Sequence, residues 1–172
     1  VLFMALGWQA RGGSARYDEA MSEIANAGLL PGGIVDEARA SLSLQGLELD
    51  PAEVTSLLGV EPKESYRRGD RLSEWRDEVR TAGFWSVEVA VTAPEDAGAA
   101  VSRLLAILPS DEALWESLRS RFRLRVSLMV VVKAWNRGFE LPAPIVRELA
   151  SRGLSVTCEI YAEPQTLSSG CS

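Results

Sequence analysis

Residues 122–135 carry a regular alternation of apolar and polar side chains. Leucine and valine occupy every second position of this stretch, at Leu124, Val126, Leu128, Val130 and Val132. The residues between them include Arg123, Arg125, Ser127 and Lys133. Because successive side chains of a strand point to opposite faces, the pattern predicts a β-strand with one buried face and one polar face.

Three further stretches alternate in the same way, at residues 40–46, 84–92 and 154–161. Between the strands, apolar residues at helical spacing follow capping signals such as Asp50-Pro51, and they predict helices near residues 50–58, 94–108, 111–118 and 144–152. In the charged segment 72–80, Trp75 and Val79 lie four residues apart, which indicates a short helix.

The alternation also predicts the fold class. Strands of a parallel sheet covered on both faces are apolar throughout, and these strands are not. We therefore expect an α+β fold, a two-layer sandwich in which an open, mostly antiparallel or mixed sheet carries helices on one face, broadly ferredoxin-like. The expected organisation is a loosely attached arm with a short helix at 1–38, a single domain at 39–163 and a polar tail at 164–172.

The composition excludes several classes of function. The 172-residue chain has no histidine, which removes Ser-His and Cys-His dyads and the usual zinc sites. We therefore expect no catalytic set, no metal and no cofactor. The net charge of −6 argues against a nucleic-acid partner, and no apolar run is long enough to span a membrane.

The two cysteines indicate a compartment. Cys158 alternates onto the predicted core face and Cys171 lies in the polar tail. We expect two free thiols, Cys158 buried, in a reducing cytoplasm. The apolar start at 1–8 lacks a preceding basic region, so we expect no signal peptide.

Four fragments, read in order, resemble a bacterial family, domain-of-unknown-function family 4279. They are Leu-Leu-Gly-Val-Glu-Pro at 57–62, Arg-Gly-Asp at 68–70, Trp85 at the start of a strand, and the stretch from Arg152-Gly153-Leu154 to Glu159-Ile160-Tyr161. The resemblance covers about residues 40–162. It implies a small cytoplasmic bacterial domain with no established activity, and it carries no catalytic residue over to this chain.

The densest charged cluster is a candidate ligand site. Paired arginines bind carboxylates and other anions bidentately, so Arg67 and Arg68, with Asp70 and Trp85, suggest a small anionic-ligand-binding or enzymatic domain. The alternative is a solvated loop with local ion pairs.

The polar sheet face is a candidate interaction surface. Its outward positions include Arg123, Arg125, Met129, Val131, Glu159 and Tyr161. Such faces are commonly solvated, but Met129 and Val131 would leave apolar area in water. We therefore expect a non-catalytic protein-interaction module that binds a protein partner or forms a homodimer. An immunity-like form of this hypothesis has a small acidic protein covering a basic toxin surface.

Overall fold

A computed structural model of the chain describes residues 33–73, 75–134 and 137–162. Within these ranges the strands are β1 (Glu37–Gly46), β2 (Glu64–Tyr66), β3 (Arg71–Ser73), β4 (Arg76–Val79), β5 (Gly83–Thr92), β6 (Arg123–Val132) and β7 (Val156–Ala162). The helices are α1 (Pro51–Leu58), α2 (Ala97–Ala106), α3 (Glu112–Arg121) and α4 (Ala143–Ser151). The predicted arm helix and the polar tail lie outside the described residues.

Five strands form one mixed sheet, in the order β2-β5-β1-β6-β7. Neighbouring strands are antiparallel except β6 and β7, which are parallel and are joined through α4. The remaining strands, β3 and β4, form a separate antiparallel pair. The predicted α+β class with an antiparallel or mixed sheet is thereby confirmed, and the two-layer, ferredoxin-like arrangement stays a prediction.

The register places the buried side chains of the three central strands on one face. Leu42 of β1 lies opposite Val87 of β5 and Val126 of β6, and directly paired residues point to the same side of a sheet. All three side chains are buried. Helix α2 packs against β1, β5 and β6, α1 packs against β5, and α3 packs against β6. The core therefore lies between this face and the helices.

Short acidic side chains fix where the helices begin. Asp50 accepts a hydrogen bond from the Ala52 amide at 3.0 Å, and Asp96 and Asp111 cap α2 and α3 in the same way. Helix α1 ends at Gly59, whose φ of 67° is the left-handed conformation that glycine adopts without strain.

The segment predicted as a short helix is a β-hairpin instead. Residues 71–79 contain β3 and β4, and Trp75 at the turn is 91% exposed. The base of the hairpin is closed by backbone hydrogen bonds, from Gly69 to the Arg80 carbonyl and from Arg80 to the Asp70 carbonyl, each 2.8 Å long. These hydrogen bonds are those of an antiparallel hairpin. The four-residue spacing of Trp75 and Val79 therefore does not indicate a helix.

Two further predictions need correction. Cys158 is exposed rather than buried, because β7 lies at the edge of the sheet. The same holds for Ile160, which is 64% exposed. At the other end, Val35 and Ala38 are buried, so the core includes residues that precede position 39.

A buried arginine at the end of α4 forms hydrogen bonds to neighbouring helical segments. The Arg152 side chain is 2% exposed, and it donates to the carbonyls of Pro109 at 3.1 Å, Glu148 at 3.4 Å and Leu105 at 3.5 Å. The Pro109 carbonyl also accepts from the Trp115 indole at 2.8 Å. Arg152 therefore joins α4 to the end of α2 and to the α2–α3 turn, where its donors supplement the Leu108 amide on the Leu105 carbonyl and the Trp115 indole on the Pro109 carbonyl.

Candidate functional site

The arginine loop at residues 67–70 is largely engaged in its own fold. The Arg67 guanidinium donates from Nη2 and Nε to Oδ1 of Asp50, at 2.8 and 3.3 Å. The Asp70 carboxylate accepts from the Arg67 amide at 2.7 Å, across the turn at Gly69, whose φ is 91°. Arg67 thus holds the loop to the start of α1, and Asp70 closes the turn within the loop.

Arg68 and Trp85, the other two, lie in different surroundings. Arg68 is exposed and makes no ion pair with any residue in the described part of the chain. Trp85 is fully buried on the core face, where its indole donates to Oγ1 of Thr55 at 3.0 Å. Two open hollows of about 580 Å³ lie beside Arg67, and Trp85 lines neither. The structure therefore does not bring Trp85 to the arginine loop.

Two carboxylates of α1 are held by arginines from elsewhere in the chain. Hydrogen bonds from Arg67 hold the pKa of Asp50 below its ordinary value. A bidentate pair with Arg121, at 2.7 and 2.8 Å, does the same for the pKa of Glu53. Both pairs join α1 to segments that follow it in the chain, which is a structural role.

These pairs predict a pH dependence. A carboxyl whose pKa is lower in the folded than in the unfolded state stabilises the fold above the unfolded pKa, and this contribution is lost as the pH falls through the folded value. We expect Arg121→Gln to lower the melting temperature slightly at pH 7. The gap to wild type should begin to narrow below about pH 4.3, the ordinary pKa of glutamate, and it should close only when the pH has fallen through the lower pKa of Glu53 in the folded protein. Thermal unfolding between pH 7 and pH 3, with Arg147→Gln as control, measures it; a gap that does not change with pH would contradict this assignment.

The second candidate surface is the side of the sheet opposite the core. We call it the open face, and it comprises the odd-numbered residues of 37–45, 123–131 and 157–161 and the even-numbered residues of 84–92. The register places every predicted interaction residue on it: Arg123, Arg125, Met129, Val131, Glu159 and Tyr161. Unlike the ligand residues, these six share one continuous surface.

The centre of the open face carries balanced charges. Glu88 accepts from Lys63 and lies 3.9 Å from Arg39, which in turn lies 3.8 Å from Glu37. On β7, the Tyr161 hydroxyl donates to Glu159 at 3.1 Å, and the carboxylate raises the pKa of Tyr161. Met129 and Val131 are half-buried among these groups. This combination of paired charges and partly exposed apolar side chains is typical of the rim and centre of protein interfaces.

Arg123 and Arg125 lie at one end of the open face. They line a cavity of about 160 Å³ together with Ser43, Gln45 and Phe84. The three strands β5, β1 and β6 contribute to it side by side.

An aromatic stack beside this cavity was not among the predicted site residues. Tyr66 of β2 stacks on Phe84 with ring centroids 5.1 Å apart, and the Arg80 guanidinium lies 3.9 Å above the Tyr66 ring. The signal was present for Phe84, because the period of two that runs through Ser86, Glu88 and Ala90 also includes position 84. For Tyr66 and Arg80 the sequence holds no such signal.

The described residues contain no group of three or more acidic, cysteine or histidine side chains placed to hold a metal ion. In the same part of the chain, no helix is long and apolar enough to cross a membrane.

Comparison with known proteins identifies one relationship. No curated protein and no solved structure matches the chain. A family described as Domain of unknown function (DUF4279) matches residues 36–163, which is most of the sequence and includes every fragment on which the resemblance rests. The chain therefore belongs to this family of unknown function.

Proposed function

We propose that this protein is a non-catalytic interaction module that binds another protein through the open face. The observation that carries the proposal is the contrast between the two sides of the same strands. On β6, Val126, Leu128 and Val130 are buried on one side, whereas Met129 and Val131 on the other side are half-buried. Burial of such partly exposed apolar area is what favours association.

We also propose that the fold is a two-layer arrangement of broadly ferredoxin-like type, with helices on one face of the sheet only. The buried alternation of β1 and the contacts of α1, α2 and α3 with the central strands support it. We further propose that the protein is bacterial and that it is located in the cytoplasm.

The alternative function, an anionic-ligand or enzymatic site at the arginine loop, has less support. Arg67 and Asp70 are engaged in hydrogen bonds that hold the loop, and Trp85 is buried away from it. The immunity-like form of the proposal draws support from the net charge of −6. The open face itself carries both signs of charge, which favours a partner of mixed charge over a uniformly basic one.

A matched pair of valine substitutions tests the proposal. Val131 lies on the open face, and Val146 lies on α4 and is exposed. We expect Val131→Asp to reduce the binding of a partner at least tenfold, because it places a charge in the apolar centre of the interface, and we expect Val146→Asp to leave binding unchanged. The measurement is differential capture from a lysate of the source cells, repeated by calorimetry with the purified partner.

Light scattering of the isolated protein measures its mass in solution and so tests whether it forms a homodimer. If the partner is a second copy, the wild-type mass is that of a dimer and Val131→Asp gives the monomer. Equal capture by wild type, Val131→Asp and Val146→Asp, with all three folded and monomeric, would falsify the proposal.

A further inference from the structure

Two arginines of the open face lack the carboxylate partners that Arg39, the third arginine of this surface, has. Arg123 and Arg125 are two residues apart on β6, so their side chains leave the same face about 6.6 Å apart. Neither guanidinium forms an ion pair or a hydrogen bond with any residue of 33–73, 75–134 or 137–162; the backbone carbonyl of Arg125 accepts from the Ser43 hydroxyl. Arg39, on the neighbouring strand, lies within 4 Å of two carboxylates, Glu37 at 3.8 Å and Glu88 at 3.9 Å.

The carboxylates of this face are engaged elsewhere. Glu88 pairs with Lys63 and Arg39, and Glu159 accepts from Tyr161. Glu64 lies on β2, three strand spacings from β6, which places the backbones about 14 Å apart. Among the residues that the structure describes, the positive charge of the two arginines is therefore not compensated locally.

The cavity that these arginines line offers further hydrogen-bond donors. In the register, Ser43 lies opposite Arg125, and Gln45 lies opposite both Arg123 and Phe84. The Ser43 hydroxyl donates to the Arg125 carbonyl at 3.4 Å, which leaves the side-chain amide of Gln45 to donate to an anion between the guanidinium groups. The Phe84 ring, stacked on Tyr66, supplies an apolar wall. We call this group of five residues the arginine cavity.

The geometry points to a carboxylate ligand: we infer that the arginine cavity receives the acidic side chain of an Asp or Glu on the protein partner. This inference rests on the proposed function and names the contact that anchors it. Guanidinium groups match carboxylates in shape and charge, and they bind them bidentately. A cavity of about 160 Å³ holds one such head group. Sites for whole small molecules are larger, about 300–1,000 Å³.

The first test uses a simple dicarboxylate as probe. Glutarate is titrated into the full chain while the Arg Nε–H resonances and the amides of Ser43, Gln45 and Phe84 are followed by NMR. We expect saturable shifts at these positions, binding about tenfold weaker in Arg125→Gln, and unchanged binding in Arg147→Gln, an exposed arginine of α4. Arg125→Lys keeps the charge but loses the planar fork, so it should restore binding only in part.

Two outcomes of the titration overturn the inference. Equal shifts at every exposed arginine, unaffected by Arg125→Gln, mean that glutarate binds by charge alone. Sulfate that binds the same residues more tightly than glutarate assigns the cavity to tetrahedral oxyanions instead of side-chain carboxylates.

The second test separates this inference from the proposed function. With the partner obtained by capture, Arg123→Gln and Arg125→Gln should each weaken binding about tenfold, and the loss should shrink as salt rises. If Val131→Asp abolishes binding while both arginine variants bind like wild type, the open face is the interface and the cavity is not its anchor. If all three bind like wild type, the proposed function itself fails.

Discussion

Replacing Arg152 with alanine is expected to lower the free energy of unfolding by about 3–5 kcal/mol. Its buried guanidinium donates to three backbone carbonyls, those of Leu105, Pro109 and Glu148. Alanine removes one donor from each of these oxygens, which keep the Leu108 amide, the Trp115 indole and the Ser151 hydroxyl respectively, and it opens a cavity that the surrounding helices fill only in part. Urea denaturation followed by circular dichroism measures the change.

Two substitutions at neighbouring residues serve as controls for the loss of unfolding free energy in Arg152→Ala. Arg147→Ala removes an exposed arginine from the same helix and should cost less than about 0.5 kcal/mol. Glu148→Gln removes the carboxylate that lies 3.1 Å from Arg152 but leaves the backbone acceptors in place, so it should cost far less than Arg152→Ala. An Arg152→Ala protein as stable as Arg147→Ala would show that the carbonyls do not depend on the guanidinium.

Trp85→Ala is expected to cost about 3–5 kcal/mol, by the loss of a large ring from the core. Trp85 is fully buried, and its indole donates to Thr55. Trp85→Phe keeps most of the apolar volume and removes the hydrogen bond, so we expect a loss of about 1–2 kcal/mol. Denaturant unfolding of both variants gives these values.

The chain offers a matched control for this prediction in Trp75, which is 91% exposed at the hairpin turn. Trp75→Ala should change the unfolding free energy by less than about 0.5 kcal/mol. If Trp85→Ala unfolded like Trp75→Ala, Trp85 would be a surface residue, and the hypothesis that it contacts a ligand would regain its basis.

Local periodicity was enough to predict the three central strands and the buried side of each, but not their order in the sheet. Positions 38, 40, 42 and 44 alternate in the sequence and are buried in β1, and β5 and β6 follow the same rule. Periodicity could not predict that β7 is an edge strand, because its apolar residues alternate as they do in a core strand. The exposure of these residues depends on which strands lie beside β7. The hairpin at 71–79 was missed for a related reason, since its closure depends on Gly69 and Arg80, at opposite ends of the segment.

The candidate sites show the same limit. A dense run of charge at 67–70 does not reveal that Arg67 pairs with Asp50, because the two residues are 17 positions apart and meet only after α1 has formed. The face assignment of Arg123 and Arg125 needed only the period of two. Their lack of partners needed the positions of all neighbouring carboxylates, which no single stretch contains.

Five of the residues that carry the family resemblance have structural roles here. Gly59 and Gly69 adopt positive φ angles, Trp85 and Arg152 are buried, and Gly153 has a φ of 62° at the end of α4. These five positions therefore support the fold, whereas Glu159 and Tyr161 of the same fragments lie on the open face.

The strand order also affects how the chain folds during synthesis. β1 is the middle strand of the five, yet it leaves the ribosome first, and its partners β5 and β6 follow only after long intervening segments. Until β6 has emerged as far as Val132, the edge of β1 that pairs with β6 has free backbone amides and carbonyls. Such an edge can pair with other nascent chains. Pairing between such distant segments is slow, so this protein should depend on chaperones more than a helical protein of equal length does.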